Sequence, residues 1–197
     1  MTKQQLIKQI HDELKNGQKL PLYSYRTKNN YFPVIGEGSL DAKIVFIGEA
    51  PGLNEAKTGR PFIGAAGRVL DELLASIKLE RNDVYITSIL LDRPPENRDP
   101  LPKEIKAYTP FLVRQLEIIK PKVIATLGRF SMNFIFNHLE LENQLQTIGK
   151  IHGQVFKVKA SWGEVTVLPL YHPAAALYGS SIKPTLISDF KNLKKYI

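Results

Sequence analysis

Four short segments that are apolar on both faces constrain the fold of this chain more than any other feature. They are rich in β-branched residues and cover residues 43–47, 84–90, 123–127 and 165–168. Strands of this kind are typical of parallel sheets that are covered by helices on both sides. Helical patterns of apolar residues alternate with the four segments. We therefore predict an α/β fold, a three-layer α/β/α sandwich around a short central parallel sheet.

Helical periodicity also predicts the elements that surround the sheet. The first helix should cover about residues 2–15, and the last should begin near Pro184. Pro110 lies inside another helical pattern and would remove a backbone hydrogen bond, so we expect that helix to be kinked or split there. We expect residues 16–40 to form a long loop, and residues 154–168 to contain a hairpin that adds an antiparallel edge strand.

Length and composition place the chain among globular proteins and exclude several classes of site. Its 197 residues suit one domain, residues 1–197, with no visible repeat or linker. Cysteine is absent, which excludes disulfides, thiolate nucleophiles and cysteine-ligated clusters. The four histidines lack metal-ligand spacing, and no HExxH, P-loop or GxSxG motif occurs. We therefore expect neither a metal nor a cofactor.

The amino terminus and the charge indicate where the chain works and what it binds. No apolar run reaches the roughly 18 residues of a membrane span, and the polar start lacks a signal-peptide core. We expect a cytoplasmic monomer that does not bind a membrane. With 27 Lys and Arg against 19 Asp and Glu, the formal net charge of +8 favours polyanionic partners such as DNA.

The loop that follows the first predicted strand is the most unusual segment of the chain. It covers residues 48–67 and contains many glycines and prolines, two acidic residues, Glu49 and Glu55, and the aromatic Phe62. Glycines let a backbone approach a ligand closely, and Phe62 offers a flat apolar face. A tight turn with a hydrophobic anchor is the alternative interpretation.

Two further loops follow predicted strands, and ligands of open α/β sheets bind at such ends. Arg93 and Arg98 lie on a proline-rich loop over residues 88–100 and are candidates for phosphate contacts, although a solvated loop of ion pairs also fits. His172 follows the fourth strand. Its ordinary pKa near neutrality suits hydrogen-bond donation to an anionic leaving group, whereas a structural histidine is the alternative.

Taken together, these loops carry motifs that resemble the family 4 uracil-DNA glycosylases, within the uracil-DNA glycosylase superfamily. The similarity runs from about Gly17 to the carboxyl terminus. The motifs are GEAPGxxE at residues 48–55, GRPFxGxAG at 59–67, VYIT at 84–87, RPPENRDP at 93–100, PKxIxxLG at 121–128 and HPAAAL at 172–177. The resemblance implies a short parallel sheet between helices and hydrolysis of the N-glycosidic bond of uracil in DNA, for base excision repair.

The resemblance also implies roles for individual residues. His172 should donate a hydrogen bond to uracil O2, while Glu49 or Glu55 orients water and stabilises positive charge on the sugar; the motif does not decide between the two acids. Phe62 should stack on the extruded base. The remaining candidates are Gly48, Ala50, Ser88 and Asn97 for the base, and Lys57, Arg93, Arg98, Pro173 and Ala174 for DNA.

The chain departs from the family pattern at the four cysteines that hold a four-iron four-sulfur cluster. The matching positions are Gly17, Leu20, Asp92 and Tyr108. Because all four ligands are replaced together, we predict no cluster, and we expect apolar or hydrogen-bonded packing among these segments to take its place.

A second departure concerns the base. Ser88 stands where the family usually has an asparagine that reads the uracil edge. A hydroxyl is shorter than an amide and rotates, so the substitution weakens discrimination between uracil and other bases. Three hypotheses follow: a cluster-free glycosylase for uracil or a related deaminated base, a relative that binds a nucleic acid or nucleobase with little or no cleavage, and a flavodoxin-like nucleotide-binding protein.

Overall fold

The centre of the molecule is a mixed β-sheet, seen in a computed structural model that describes residues 1–179 and 181–196. Within these residues the sheet has six strands, in the order β1-β3-β2-β4-β6-β5. The strands are β1 (Glu37–Gly38), β2 (Ile44–Gly48), β3 (Tyr85–Ser88), β4 (Val123–Leu127), β5 (Phe156–Ala160) and β6 (Gly163–Leu170).

The four predicted central strands pair in parallel, as expected. β2 lies between β3 and β4, and β4 pairs with β6 on its other side. The two edge strands are antiparallel, because β1 pairs with β3 and β5 pairs with β6. β5 and β6 form the predicted hairpin, in which Ala160 pairs with Gly163 across a tight turn. The predicted edge strand is therefore confirmed.

Helices cover both faces of the sheet and complete the three predicted layers. The helices are α1 (Lys3–Asn16), α2 (Tyr23–Lys28), α3 (Leu53–Thr58), α4 (Ala65–Ser76), α5 (Pro102–Ile119), α6 (Arg129–His138), α7 (Ile148–Ile151) and α8 (Ile182–Phe190). Side chains of β2 alternate between the layers: Ile44 and Phe46 pack with α4 and α8, while Val45 and Ile47 pack with α5 and α6. Buried apolar side chains form the core of both layers, so the α/β/α sandwich is confirmed.

One prediction about the periphery was wrong, and the split that was one of two expectations at Pro110 does not occur. Residues 16–40 are not one long loop, because they contain the short helix α2 and the strand β1. α2 is held by the buried side chain of Arg26 rather than by an apolar stripe, so periodicity did not indicate it. α5 is also not split, since it runs without interruption past Pro110. Burial of its apolar side, including Tyr108 and Leu112, offsets the lost hydrogen bond.

The parallel pairing brings the carboxyl ends of β2, β3, β4 and β6 to one edge of the sheet. The loops that leave this edge begin near Gly48, Ser88, Gly128 and Tyr171. No helix in the described ranges is long and apolar enough to cross a membrane.

Candidate active site

A cavity of about 480 Å³ lies at this carboxyl edge of the sheet. Its volume is within the usual range for small-molecule sites. Most of the predicted site residues line it, namely Glu49, Ala50, Glu55, Phe62, Ser88, Asn97, Arg98, His172 and Ala174. They come from the loops that follow β2, β3 and β6, so the fold joins segments that are more than 100 residues apart in the chain.

The Phe62 ring closes one side of the cavity against the end of β2. An added β-carbon at Gly48 would lie 2.6 Å from Cζ of Phe62, so only glycine allows the ring to pack on this backbone. Gly48 therefore contributes to the site because it has no side chain, although it does not itself line the cavity. Phe62 is buried and has a positive φ of 51°, a backbone conformation that its surroundings must hold in place.

Arg81 holds this turn, and sequence reasoning missed it. Its guanidinium donates to the carbonyl oxygen of Pro61 at 2.9 Å and to that of Phe62. Asp71 of α4 accepts from the same side chain at 2.7 Å. Arg81 lies 19 positions from Phe62 and in no recognisable motif, so no sequence signal marked it.

His172 stacks against the Phe62 ring, with ring centroids 5.7 Å apart and planes inclined by 27°. Its Nδ1 accepts a hydrogen bond from the backbone N–H of Ala174 at 3.1 Å. Burial lowers the pKa of His172 to about 4. The expectation of an ordinary pKa near neutrality was therefore wrong. At neutral pH the imidazole is uncharged, and its single proton is on Nε2, which makes Nε2–H a donor.

The two acidic residues of the first loop have different surroundings. Glu55 Oε1 accepts hydrogen bonds from the backbone N–H groups of Ile63 and Gly64, both at 2.9 Å. These groups immediately precede α4, so the carboxylate fixes the start of that helix as well as the loop that carries Phe62. The Glu55 carboxylate therefore already accepts two backbone hydrogen bonds, although Glu55 lines the cavity.

Glu49 is the carboxylate that remains available. Within the residues described, its side chain makes no hydrogen bond, and it is half-buried in the cavity wall. Burial raises the pKa of Glu49, Asp99 adds to that effect, and Arg129 opposes it. Arg129 pairs with Asp99 beside the cavity and was not among the predicted residues.

The predicted DNA-contacting residues are only partly free to bind phosphate. Lys57 is exposed and makes no ion pair in the part of the chain that the structure describes. Arg98 pairs with Glu104 of α5. Arg93 donates to Asn97 Oδ1 at 2.8 Å and to two tyrosine hydroxyls, and it does not line the cavity. Its Nε and Nη1 donors are thus engaged, whereas Nη2 has no partner among the described residues, so its role as a phosphate ligand stays a prediction.

The segment after His172 divides into a buried and an exposed part. Pro173 is buried and Ala174 lines the cavity. Beyond them Leu177 is 45% exposed, and Tyr178 is 90% exposed and also lines the cavity. Neither was predicted as a site residue. Leu177 is the last residue of the HPAAAL motif and Tyr178 follows it directly. Their position next to this motif is the sequence signal that could have identified them as site residues.

The donor atoms do not fit an iron-sulfur cluster or another metal. Gly17 and Leu20 offer no side-chain ligand, and Asp92 and Tyr108 are hydrogen-bonded to each other at 2.6 Å. Among residues 1–179 and 181–196, no group of three or more histidine or acidic side chains could hold a metal ion. Protein packing and the Asp92–Tyr108 hydrogen bond occupy the four positions.

Comparison with known proteins gives consistent matches. Residues 35–193 match the family described as the Uracil DNA glycosylase superfamily. The chain is 51% identical over 170 residues to the type-4 uracil-DNA glycosylase of Archaeoglobus fulgidus, which covers 86% of this chain and 83% of the relative. It is 43% identical to the type-4 uracil-DNA glycosylase of Sulfurisphaera tokodaii, and the match covers 96% of this chain and 84% of the relative. It is 37% identical to the type-4 uracil-DNA glycosylase of Thermotoga maritima, and the match covers 100% of this chain and 97% of the relative.

The different surroundings of the two acids predict different effects on stability. Glu55→Ala should lower the free energy of unfolding by about 2 kcal/mol, because two charge-assisted hydrogen bonds at a helix start are lost. Glu49→Ala should change it by less than about 0.5 kcal/mol, since no partner is left unsatisfied. Urea unfolding followed by circular dichroism measures both. Equal losses for the two variants would contradict the assignment.

The protonation of His172 can be measured directly. Its side-chain nitrogen shifts in ¹⁵N NMR should show the neutral Nε2–H form from pH 8 down to about pH 5, because desolvation lowers the pKa of the half-buried ring to about 4. A midpoint near 6.5 for His172 would show that the ring is accessible to water and charged in acid.

Proposed function

The chain belongs to the uracil-DNA glycosylase superfamily and to its type-4 family, and from this premise we propose that it removes uracil from DNA by hydrolysing the N-glycosidic bond, as an enzyme of base excision repair. One observation carries the proposal for this chain. A neutral histidine donor, an aromatic ring and a carboxylate with no hydrogen-bond partner among the described residues line one cavity of suitable size.

Base capture rests on Phe62. An enzyme that acts on a base inside DNA must extrude it, at a cost of a few kcal/mol, and stacking on an aromatic ring offsets part of that cost. Phe62 lines the cavity, and its position is fixed by Gly48, by His172 and by the Arg81 hydrogen bonds. The ring is therefore held in place before the base arrives.

His172 stabilises the leaving group. Breaking the glycosidic bond leaves negative charge on uracil, which is spread over its oxygens. A neutral imidazole that donates Nε2–H to O2 supports this charge without transferring a proton, and Ala174 N–H keeps Nδ1 unprotonated. The lowered pKa of His172 suits this role, since an uncharged donor costs less to bury than an imidazolium.

Glu49 supports the sugar side of the reaction. The sugar acquires oxocarbenium character, so a nearby carboxylate stabilises it and orients the attacking water. Glu49 has no competing hydrogen bond among the described residues, whereas Glu55 is held by two backbone N–H groups. We therefore assign Glu49 to the water and the sugar, and we assign Glu55 to positioning the loop that carries Phe62.

Ser88, Ala50 and Asn97 form the walls that face the base. Ser88 lies at the end of β3, and its hydroxyl makes no hydrogen bond within the residues described. It is free to donate to or accept from the edge of a base, with less selectivity than an amide in a fixed plane. The base specificity of this chain accordingly extends from uracil to related deaminated bases.

The surroundings of the cavity suit duplex DNA. Lys57 and the net charge of +8 provide sequence-independent attraction to phosphate. Tyr178 lines the cavity, and it and the neighbouring Leu177 are exposed; exposed apolar side chains of this kind wedge between base pairs when a duplex is kinked. Arg98 reaches the same cavity but shares its charge with Glu104.

Ser88 favours a second candidate function, a relative that binds a nucleic acid or nucleobase and cleaves it weakly or not at all. Glu49 argues against it, since a binding protein gains nothing from a half-buried carboxylate that has no partner in the part of the chain the structure describes. The nucleotide-binding alternative has less support, because Glu49 and Glu55 line the cavity and would repel a phosphate.

Cleavage of a labelled oligonucleotide that contains one deoxyuridine, followed by alkali, tests the proposal. Wild type should produce strand breaks. His172→Ala should lower kcat by about 10²–10³-fold through loss of the donor to the leaving group. Glu49→Gln should lower it by about 10²–10⁴-fold through loss of the charge that faces the sugar and water. Ser88→Asn should raise the preference for uracil over other deaminated bases.

His138→Ala and Glu164→Gln are matched controls, because both residues are exposed and lie outside the cavity. They should retain wild-type rates. Cleavage that is unaffected by Glu49→Gln and His172→Ala would contradict the assigned roles. Binding of uracil-containing DNA by wild type without any cleavage would replace the proposed activity with the second candidate function.

A further inference from the structure

A buried polar network lies beneath the loop that follows β3, and none of its members lines the cavity. Arg26 Nη1 donates to both carboxylate oxygens of Asp92, each at 2.9 Å, and the Tyr108 hydroxyl donates to Asp92 Oδ2 at 2.6 Å. Asp92 and Tyr108 are fully buried, and Arg26 is 3% exposed. One positive and one negative group are thus paired inside the protein.

The network joins four separate parts of the chain. Arg26 lies on α2, Tyr108 lies on α5, and Asp92 begins the loop over residues 92–100. Arg26 Nη2 also donates to the carbonyl oxygens of Leu14 and Lys15, at 3.2 and 2.7 Å, in the last turn of α1. A single guanidinium therefore satisfies helix-end carbonyls and a buried carboxylate together.

The 92–100 loop connects this network to the cavity. Two residues before Asp92, the N–H of Leu90 donates to the carbonyl oxygen of Glu49 at 3.0 Å. Further along the loop, Asn97 and Arg98 line the cavity. Displacement of Asp92 would move both the backbone of Glu49 and the side of the cavity formed by Asn97 and Arg98.

Two members of the network occupy positions that match cluster ligands in the family pattern. The other two matching positions, Gly17 and Leu20, lie beside the network: an added β-carbon at Gly17 would be 2.7 Å from Leu20 Cδ1, and Leu20 packs against the apolar cluster that contains Tyr108. All four positions therefore belong to one region of the molecule, and this region contains an ion pair instead of thiolate ligands.

We propose that the Arg26–Asp92–Tyr108 network is a positioning device that holds the 92–100 loop in its DNA-binding conformation and does so without iron. The three residues act through the loop and do not touch the substrate. The inference about DNA binding rests on the proposed glycosylase function, whereas the inference about loop order does not. Removal of one partner leaves a buried charge or donor unsatisfied, so the loop should loosen before the rest of the fold does.

Asp92→Asn tests the proposal in the full-length protein. It removes the negative charge with little change in size and leaves Arg26 buried beside a neutral amide. Hydrogen-deuterium exchange of residues 93–99 should become about 10-fold faster or more, while α4 and β4 keep wild-type protection. With the deoxyuridine oligonucleotide, KM should rise by about 10-fold and kcat should change by less than about 3-fold.

Two further variants keep the test decisive. Tyr108→Phe removes only the hydroxyl and should change exchange and KM in the same direction, by a smaller factor; it decides the outcome if Asp92→Asn does not fold. Arg114→Met is the matched control, because Arg114 joins α5 to Glu13 of α1 through an exposed ion pair outside the network. It should leave both quantities at wild-type values.

The outcomes separate this proposal from the proposed function. Faster loop exchange in Asp92→Asn without cleavage by any variant supports the positioning device and refutes the glycosylase. Exchange and KM that match those of Arg114→Met refute the positioning device, whatever the activity. Iron analysis of the purified wild-type protein should give less than about 0.1 atom per chain, and about four atoms with acid-labile sulfide would overturn the claim of iron independence.

Discussion

Parallel pairing of β2, β3, β4 and β6 is the constraint on which the candidate site depends. Because all four strands run in one direction, the loops after them meet at one edge of the sheet, and residues as distant as Glu49 and His172 share a cavity. The pairing in turn requires strands that are apolar on both faces and helices that cover them. The catalytic arrangement is thus a consequence of the same burial that stabilises the fold.

The charges in the cavity match those that develop when a glycosidic bond breaks. In the proposed reaction, Glu49 provides negative charge where the sugar becomes positive, and neutral His172 provides a donor where uracil becomes negative. Partial burial strengthens both interactions, since a lower dielectric screens them less than water does. Burial also explains both altered pKa values: it raises that of Glu49 and lowers that of His172. Electrostatic stabilisation by these two side chains therefore accounts for the proposed catalysis.

Patterns that are local in sequence predicted much of this structure, and interactions between distant residues account for what they missed. The strands, their parallel pairing, the final hairpin and the positions of Phe62 and His172 followed from periodicity and motifs. Arg81 and Arg26 were missed because each acts on partners at least ten residues away, and α2 was missed because a buried arginine holds it. The pKa of His172 depends on burial that only the folded chain creates.

A crystal structure of the protein bound to duplex DNA that carries 2′-fluoro-2′-deoxyuridine, whose glycosidic bond resists cleavage, tests the central claim most directly. The account predicts that uracil is extruded and stacked on Phe62, with its O2 about 2.7–3.2 Å from His172 Nε2. Glu49 should face the anomeric carbon or a water beside it. A uracil that remains in the helix, or that contacts neither Phe62 nor His172, would contradict the account.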